Sequence, residues 1–250
     1  MKVQVFCNMS IDLPDYTRKM ILELISTKSL IGILSKRLVC PYSIDDNGEV
    51  IKYIDFSNGL RTMWIEGGAA GLEYGINTTY FVTSGYSFFI KTTGSAFVTY
   101  FFYTLINRCD TTTYGFEIRF SSSRFCTAFS FELIIPYKGK NLHFHIKYYT
   151  ASHQLKVFDT DGEYLVLTTK YKLSENLTPS NIIKFVVDVQ SEEYIKAMVN
   201  EEKVNISGYK CDTYDPVSDN AIQISFKPYY LAMDNIIYID NIIVTKNEVS

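Results

Sequence analysis

Apolar and polar positions alternate with period two along most of this chain. Tyr114, Phe116, Ile118 and Phe120 alternate with Gly115, Glu117 and Arg119. Phe129, Phe131 and Leu133 flank Ser130 and Glu132, and Leu142, Phe144, Ile146 and Tyr148 flank His143, His145 and Lys147. Side chains two apart on a strand point the same way, so each run predicts a strand with one apolar and one polar face. Further runs at Leu60–Glu66, Tyr86–Thr92, Ala96–Ile106, Gln154–Phe158, Glu163–Thr168, Ile182–Val189, Tyr194–Val199 and Ile222–Phe226 are separated by turn chemistry. Asp161-Gly162, between two of them, predicts a hairpin with a type I′ turn.

The segment Asp234–Thr245 is different. It is apolar on both alternating faces at 236–239 and 242–244, which predicts a central strand covered on both sides. Asp240-Asn241 interrupts it, as a bulge or a locally bonded pair would. A dozen or more short strands of this kind predict an all-β, two-sheet antiparallel jelly-roll β-sandwich. Helix periodicity is confined to residues 14–38. There Pro14-Asp15 supplies a start signal, and Met20, Ile21, Leu24, Ile25, Ile31, Leu34 and Leu38 share a face; two strands are the alternative. The division that follows is an N-terminal appendage over 1–45 and a sandwich domain over 46–250.

Composition fits strands: 15% of residues are aromatic, with 20 Tyr and 17 Phe. A net charge of -3 with mixed signs offers no footprint for nucleic acid. No apolar run is long enough to predict a membrane span. Met1–Asn8 is a poor signal peptide, so a cytoplasmic chain and a mature secreted one fit equally. Cys7, Cys40, Cys109, Cys126 and Cys211 are odd in number and scattered, which predicts buried thiols, not a disulfide frame or a structural zinc site.

Several stretches resemble one known family. They are Gly71–Tyr74, Ser84–Thr92, Tyr114–Phe120, the Asp159–Tyr164 hairpin, Lys184–Val189 and Tyr238–Val244. Over residues 50–246 the chain resembles the concanavalin A-like (laminin G-like) lectin/glucanase jelly rolls, including bacterial members of uncharacterised function. The resemblance implies the sandwich fold. It leaves open lectins, carbohydrate-binding modules, glycoside hydrolases, polysaccharide lyases and adhesion modules, so function rests on a site.

The candidate site is a polar sheet face. Were the three alternating runs neighbours, Glu117, Arg119, Glu132, His143, His145, Lys147 and Tyr149 would share one surface. Such groups bond sugar hydroxyls and stack on sugar rings. A solvated outer face with cross-strand ion pairs is the alternative. His143 and His145 form a pair that could bind metal, but spacing supplies no third ligand, so no metal is expected there. Calcium stays open at Asp159/Asp161, where a hairpin turn explains the residues more simply, and at Asp240. Trp64 suits the core or a stacking platform equally.

The expected function is a non-catalytic carbohydrate-binding or adhesion module with a glycan partner. A glycan-cleaving enzyme using Glu117 and Glu132 is the alternative. That reading lacks the i, i+2, i+5 acidic strand of the fold's glucanases. An assembly protein with no small ligand is the third reading. Oligomeric state is not readable from the chain.

Overall fold

The computed structural model describes residues 48–57, 64–67, 72–81, 85–92, 98–107, 110–122, 126–162, 164–168, 172–174, 176–200, 202–215, 221–230 and 236–248. The predicted helix over 14–38 and the appendage over 1–45 lie outside them. The strands are β1 (Glu49–Ile54), β2 (Trp64–Gly67), β3 (Leu72–Asn77), β4 (Ser87–Thr92), β5 (Val98–Asn107), β6 (Thr113–Ser122), β7 (Cys126–Tyr137) and β8 (Lys140–Tyr149). After these come β9 (Gln154–Phe158), β10 (Tyr164–Thr168), β11 (Asn176–Asp188), β12 (Glu193–Val199), β13 (Glu202–Asn205), β14 (Asp212–Tyr214), β15 (Ala221–Tyr230) and β16 (Ile236–Lys246).

They form two antiparallel eight-stranded sheets packed as a sandwich. The first runs β13-β12-β11-β6-β16-β4-β3, with β1 also on β16; the second runs β10-β9-β8-β7-β15-β5-β2, with β14 also on β8. Strand β16 is central, as its two-sided apolar pattern predicts. It lies between β6 on one edge and β4 and then β1 on the other. Its register with β6 slips between Ile239 and Asn241, and Asn241 Nδ2 donates to Asp240 Oδ2 at 3.0 Å. The bulge is thus locally bonded.

The inward faces supply the core. Phe120 of the first sheet meets Phe129, Phe131 and Phe226 of the second at ring distances of 4.7, 5.7 and 5.6 Å. Tyr194 of the first sheet also reaches across to the second. Its hydroxyl accepts the His145 backbone N–H at 2.5 Å and lies 3.1 Å from the His145 carbonyl and 3.3 Å from that of Phe158. Strand β8 changes edge partner here, pairing with β9 over Ile146–Tyr149 and with β14 over Asn141–His143. The Tyr194 hydroxyl fills the gap in the ladder, where buried backbone groups need a partner.

Two turns differ in kind. Lys138 and Gly139 both have positive φ, 49° and 79°, a two-residue type I′ link from β7 to β8. It pairs Tyr137 with Lys140 and so sets Glu132 opposite His145. The Asp159–Gly162 turn is corrected from type I′. Only its Gly162 has positive φ, its N–H donating to the Asp159 carbonyl at 3.0 Å while Asp159 Oδ1 accepts the Asp161 N–H. That is a type I turn closed by a left-handed glycine.

Tyr194→Phe should cost about 1–3 kcal/mol, because it strips a partner from buried backbone groups. Urea unfolding checks this, and an unchanged midpoint would contradict the role given to the hydroxyl.

Candidate functional site

The shared polar surface expected from sequence is split by the topology. Strand β6 belongs to the first sheet, between β11 and β16, whereas β7 and β8 are neighbours in the second. With Phe116 and Phe120 facing the core, Glu117 and Arg119 face out from the first sheet. Glu132, His143, His145, Lys147 and Tyr149 face out from the second, on the far side of the core. Glu117 and Glu132 therefore cannot flank one glycosidic bond.

Glu117 and Arg119 are also buried, in a row that pairs Lys184 with Glu117 and Glu117 with Ile243. Beside them Lys184 Nζ meets Glu248 Oε1 at 2.8 Å, with almost no exposure on either side chain, and Thr245 Oγ1 donates to the same carboxylate oxygen. A Cβ at Gly115 would run into Thr245 Oγ1 and the Glu248 carboxylate, so a glycine fits there.

The outer face of the second sheet is built on register. One cross-strand row runs from Ser225 through Glu132 to His145; the next runs from Lys227 through Ser130 and Lys147 to Lys156. Glu132 and His145 are each only 5% exposed. This is a covered polar layer, not a solvated face.

Glu132 is its hub. Oε1 accepts from Lys227 Nζ at 2.6 Å and Oε2 from Ser225 Oγ at 2.8 Å, while Ser130 Oγ lies 3.4 Å from Oε1. His143 Nε2 stands 3.7 Å from Oε2, and His145 Nε2 stands 3.7 Å from Oε1. Ser130 Oγ is 2.5 Å from His145 Nε2. Serine and carboxylate thus approach the same ring nitrogen. A nucleophile–histidine–acid relay needs the acid on the other one.

Burial alone would push the Glu132 carboxyl up; its contacts with His143, His145 and Lys227 outweigh this and hold it well below the usual carboxylate range. Burial pushes the His145 imidazole down to about 3, against the pull of the Glu132 carboxylate. At neutral pH His145 is uncharged, and Lys227 pairs with the Glu132 carboxylate at 2.6 Å.

The rim is aromatic and cationic. Lys147 Nζ lies over the Tyr229 ring at 4.0 Å and near Tyr149 at 5.2 Å, with Lys156 Nζ over Tyr149 at 4.7 Å. Burial, then the charge of Lys156, pushes the Lys147 ammonium down. Phe158 packs on the rings of His145 and His143 at 5.3 and 5.8 Å, and Tyr214 meets His143 edge-on at 6.0 Å. Separately, a groove of about 680 Å³ opens at Thr150, Ala151, His153, Lys172, Leu173 and Ser174, where the hydroxyl of core-facing Tyr148 meets His153 and Leu173. Cys211 is a free buried thiol, pushed up to about 12 by burial and the Glu192 charge.

Of the candidates read from sequence, Glu132, His143, His145, Lys147 and Tyr149 come together, and Glu117 and Arg119 do not. Ser130 and Ser225, Lys156 and Lys227, Phe158, Tyr214 and Tyr229 were missed. Lys227 and Tyr229 follow the same period-two rule along β15, which was legible beyond Phe226 had Pro228 not broken the pattern.

No protein-family model and no curated protein matches the chain. Solved structures do. The conserved carbohydrate esterase of Shiga toxin-encoding bacteriophage phi24B superposes with a TM-score of 0.50 at 12% identity, over 80% of this chain and 100% of that one. The Emp46p carbohydrate recognition domain, in its potassium-bound form, gives 0.46 at 11% identity over 86% and 99%. At such identity the esterase match shows a shared β-sandwich fold and nothing about chemistry.

Acid should destabilise the protein through this cluster. The unfolded chain protonates an ordinary imidazole near 6.5, whereas folded His145 stays neutral to about 3. Between those values the unfolded state binds the extra proton, so stability falls as pH drops, by up to about 1.4 kcal/mol per unit. Glu132, ionised in the fold below its ordinary 4.5, adds to the loss at the acid end. In denaturant titrations from pH 7 to 4, His145→Gln should flatten the slope; an identical slope would contradict the assignment.

Proposed function

We propose that this chain is a non-catalytic carbohydrate-binding β-sandwich of the concanavalin A-like (laminin G-like) kind, with the outer face of the second sheet as its ligand surface. The observation carrying this is the half-exposed rim of Lys147, Tyr149, Lys156 and Tyr229 above a buried, bonded polar layer. Tyrosine faces pack on the C–H faces of sugar rings, and ammonium groups donate to hydroxyls or pair with acidic sugars. The layer beneath holds the rim still, because Glu132 ties β7 to β15 through Ser225 and Lys227.

Binding to a glycan array, followed by titration calorimetry on the best hit, tests the main reading. Tyr149→Ala and Tyr229→Ala should each weaken affinity about tenfold, the scale of one lost aromatic contact. A silent array, or affinity unchanged in both variants, would overturn it.

A further inference from the structure

We infer that Glu132, His143 and His145 form a binding site for a divalent transition metal such as zinc. One ligand atom from each of the three lies within 4.8 Å of the other two. The type I′ turn at Lys138-Gly139 creates this convergence, because it sets Glu132 directly opposite His145 and leaves His143 two residues along the same face. Two ligand atoms at zinc bond lengths of about 2.0–2.1 Å in tetrahedral geometry are about 3.4 Å apart. The two imidazoles lie 3.7 Å from the two oxygens of the Glu132 carboxylate, and with one oxygen as the ligand the three atoms draw in from separations within 4.8 Å as Ser130 Oγ releases His145 Nε2.

His143 Nε2 is a buried atom with no hydrogen-bond partner among the described residues. An unpaired ring nitrogen at such a place is ready to coordinate. The rings are already set: His143 and His145 stack at 5.5 Å with 20° between planes, and Phe158 packs on both. Ser225 orients the carboxylate at Oε2, which keeps a second lone pair for the metal.

Two imidazoles and one carboxylate suit zinc, nickel, copper or iron, whereas calcium takes oxygen ligands. Three protein ligands leave a position for water or a ligand oxygen. Lys227 is the competing cation on Oε1. It is half-buried, so its ammonium can swing outward as the ion enters and exchange one positive charge for two. The sequence reading expected no metal because spacing alone showed two ligands; the fold supplies the third.

The test uses the full chain, zinc chloride alone and no sugar, which keeps it separate from glycan binding. The chain has 3 histidines, so imidazole NMR signals resolve each site. Zinc should shift His143 and His145 and leave His153 unmoved, with a rise in melting temperature that EDTA reverses. His143→Ala should weaken binding at least about tenfold, and His153→Ala should not. No imidazole shift at millimolar zinc, or binding undiminished in His143→Ala, would overturn the site. Should His143→Ala not fold, the wild-type imidazole shifts decide the question.

Discussion

Central strands in this sandwich are buried on both faces, and that constraint governs the polar residues they carry. A charged side chain on β6, β7, β11 or β16 cannot rely on water, so it must find its partner within the sheet. On the first sheet, Lys184 meets Glu248, Thr245 bonds the same carboxylate, and residue 115 is glycine to give them room. On the second sheet, Glu132 gathers Lys227, Ser225 and the two histidines. The two clusters lie on opposite sides of one phenylalanine-rich core and solve the same problem. They differ at the edges. The second is ringed by half-exposed lysines and tyrosines, the feature on which the proposed ligand surface rests.

The link between fold and site runs through backbone geometry. A two-residue turn with both residues left-handed sets the register of β7 and β8, and a one-residue slip would move His143 and His145 to the core face. Tyr194 then braces His145 from below at the point where β8 loses its edge partner. The histidines are thus fixed by the turn, by a tyrosine from the opposite sheet and by Phe158 packed on their rings. A ligand at the proposed site would meet groups already held in place, which lowers the cost of association.

Much of this architecture was legible in the chain. Alternation marked β6, β7 and β8, and the two-sided apolar run 236–244 with its Asp240-Asn241 break marked a bulged central strand. Period two says which residues share a face of one strand but not which strands are neighbours. That is why Glu117 and Arg119 were grouped with His143 and His145, although β6 pairs with β11 and β16. Neighbour relations follow from sequence only where a tight turn enforces them; Asp161-Gly162 was read as one, and Lys138-Gly139 was not. Burial was hidden for a related reason: a row of Glu, His, Ser and Lys reads as a wet face until cross-strand partners are known to satisfy it. Glu132, the third ligand of the proposed metal site, was invisible because it lies on a different strand from the His-x-His pair.

Backbone amide chemical-shift mapping with pooled glycan fragments tests the central claim most directly. It locates a ligand without assuming which residue matters. Perturbations should cluster on outward-facing positions of β7, β8, β9 and β15, around Ser130, Lys147, Tyr149, Lys156 and Tyr229. Shifts confined to the first sheet, or a spectrum unmoved by every fragment, would contradict the claim that this face is where the protein meets its ligand.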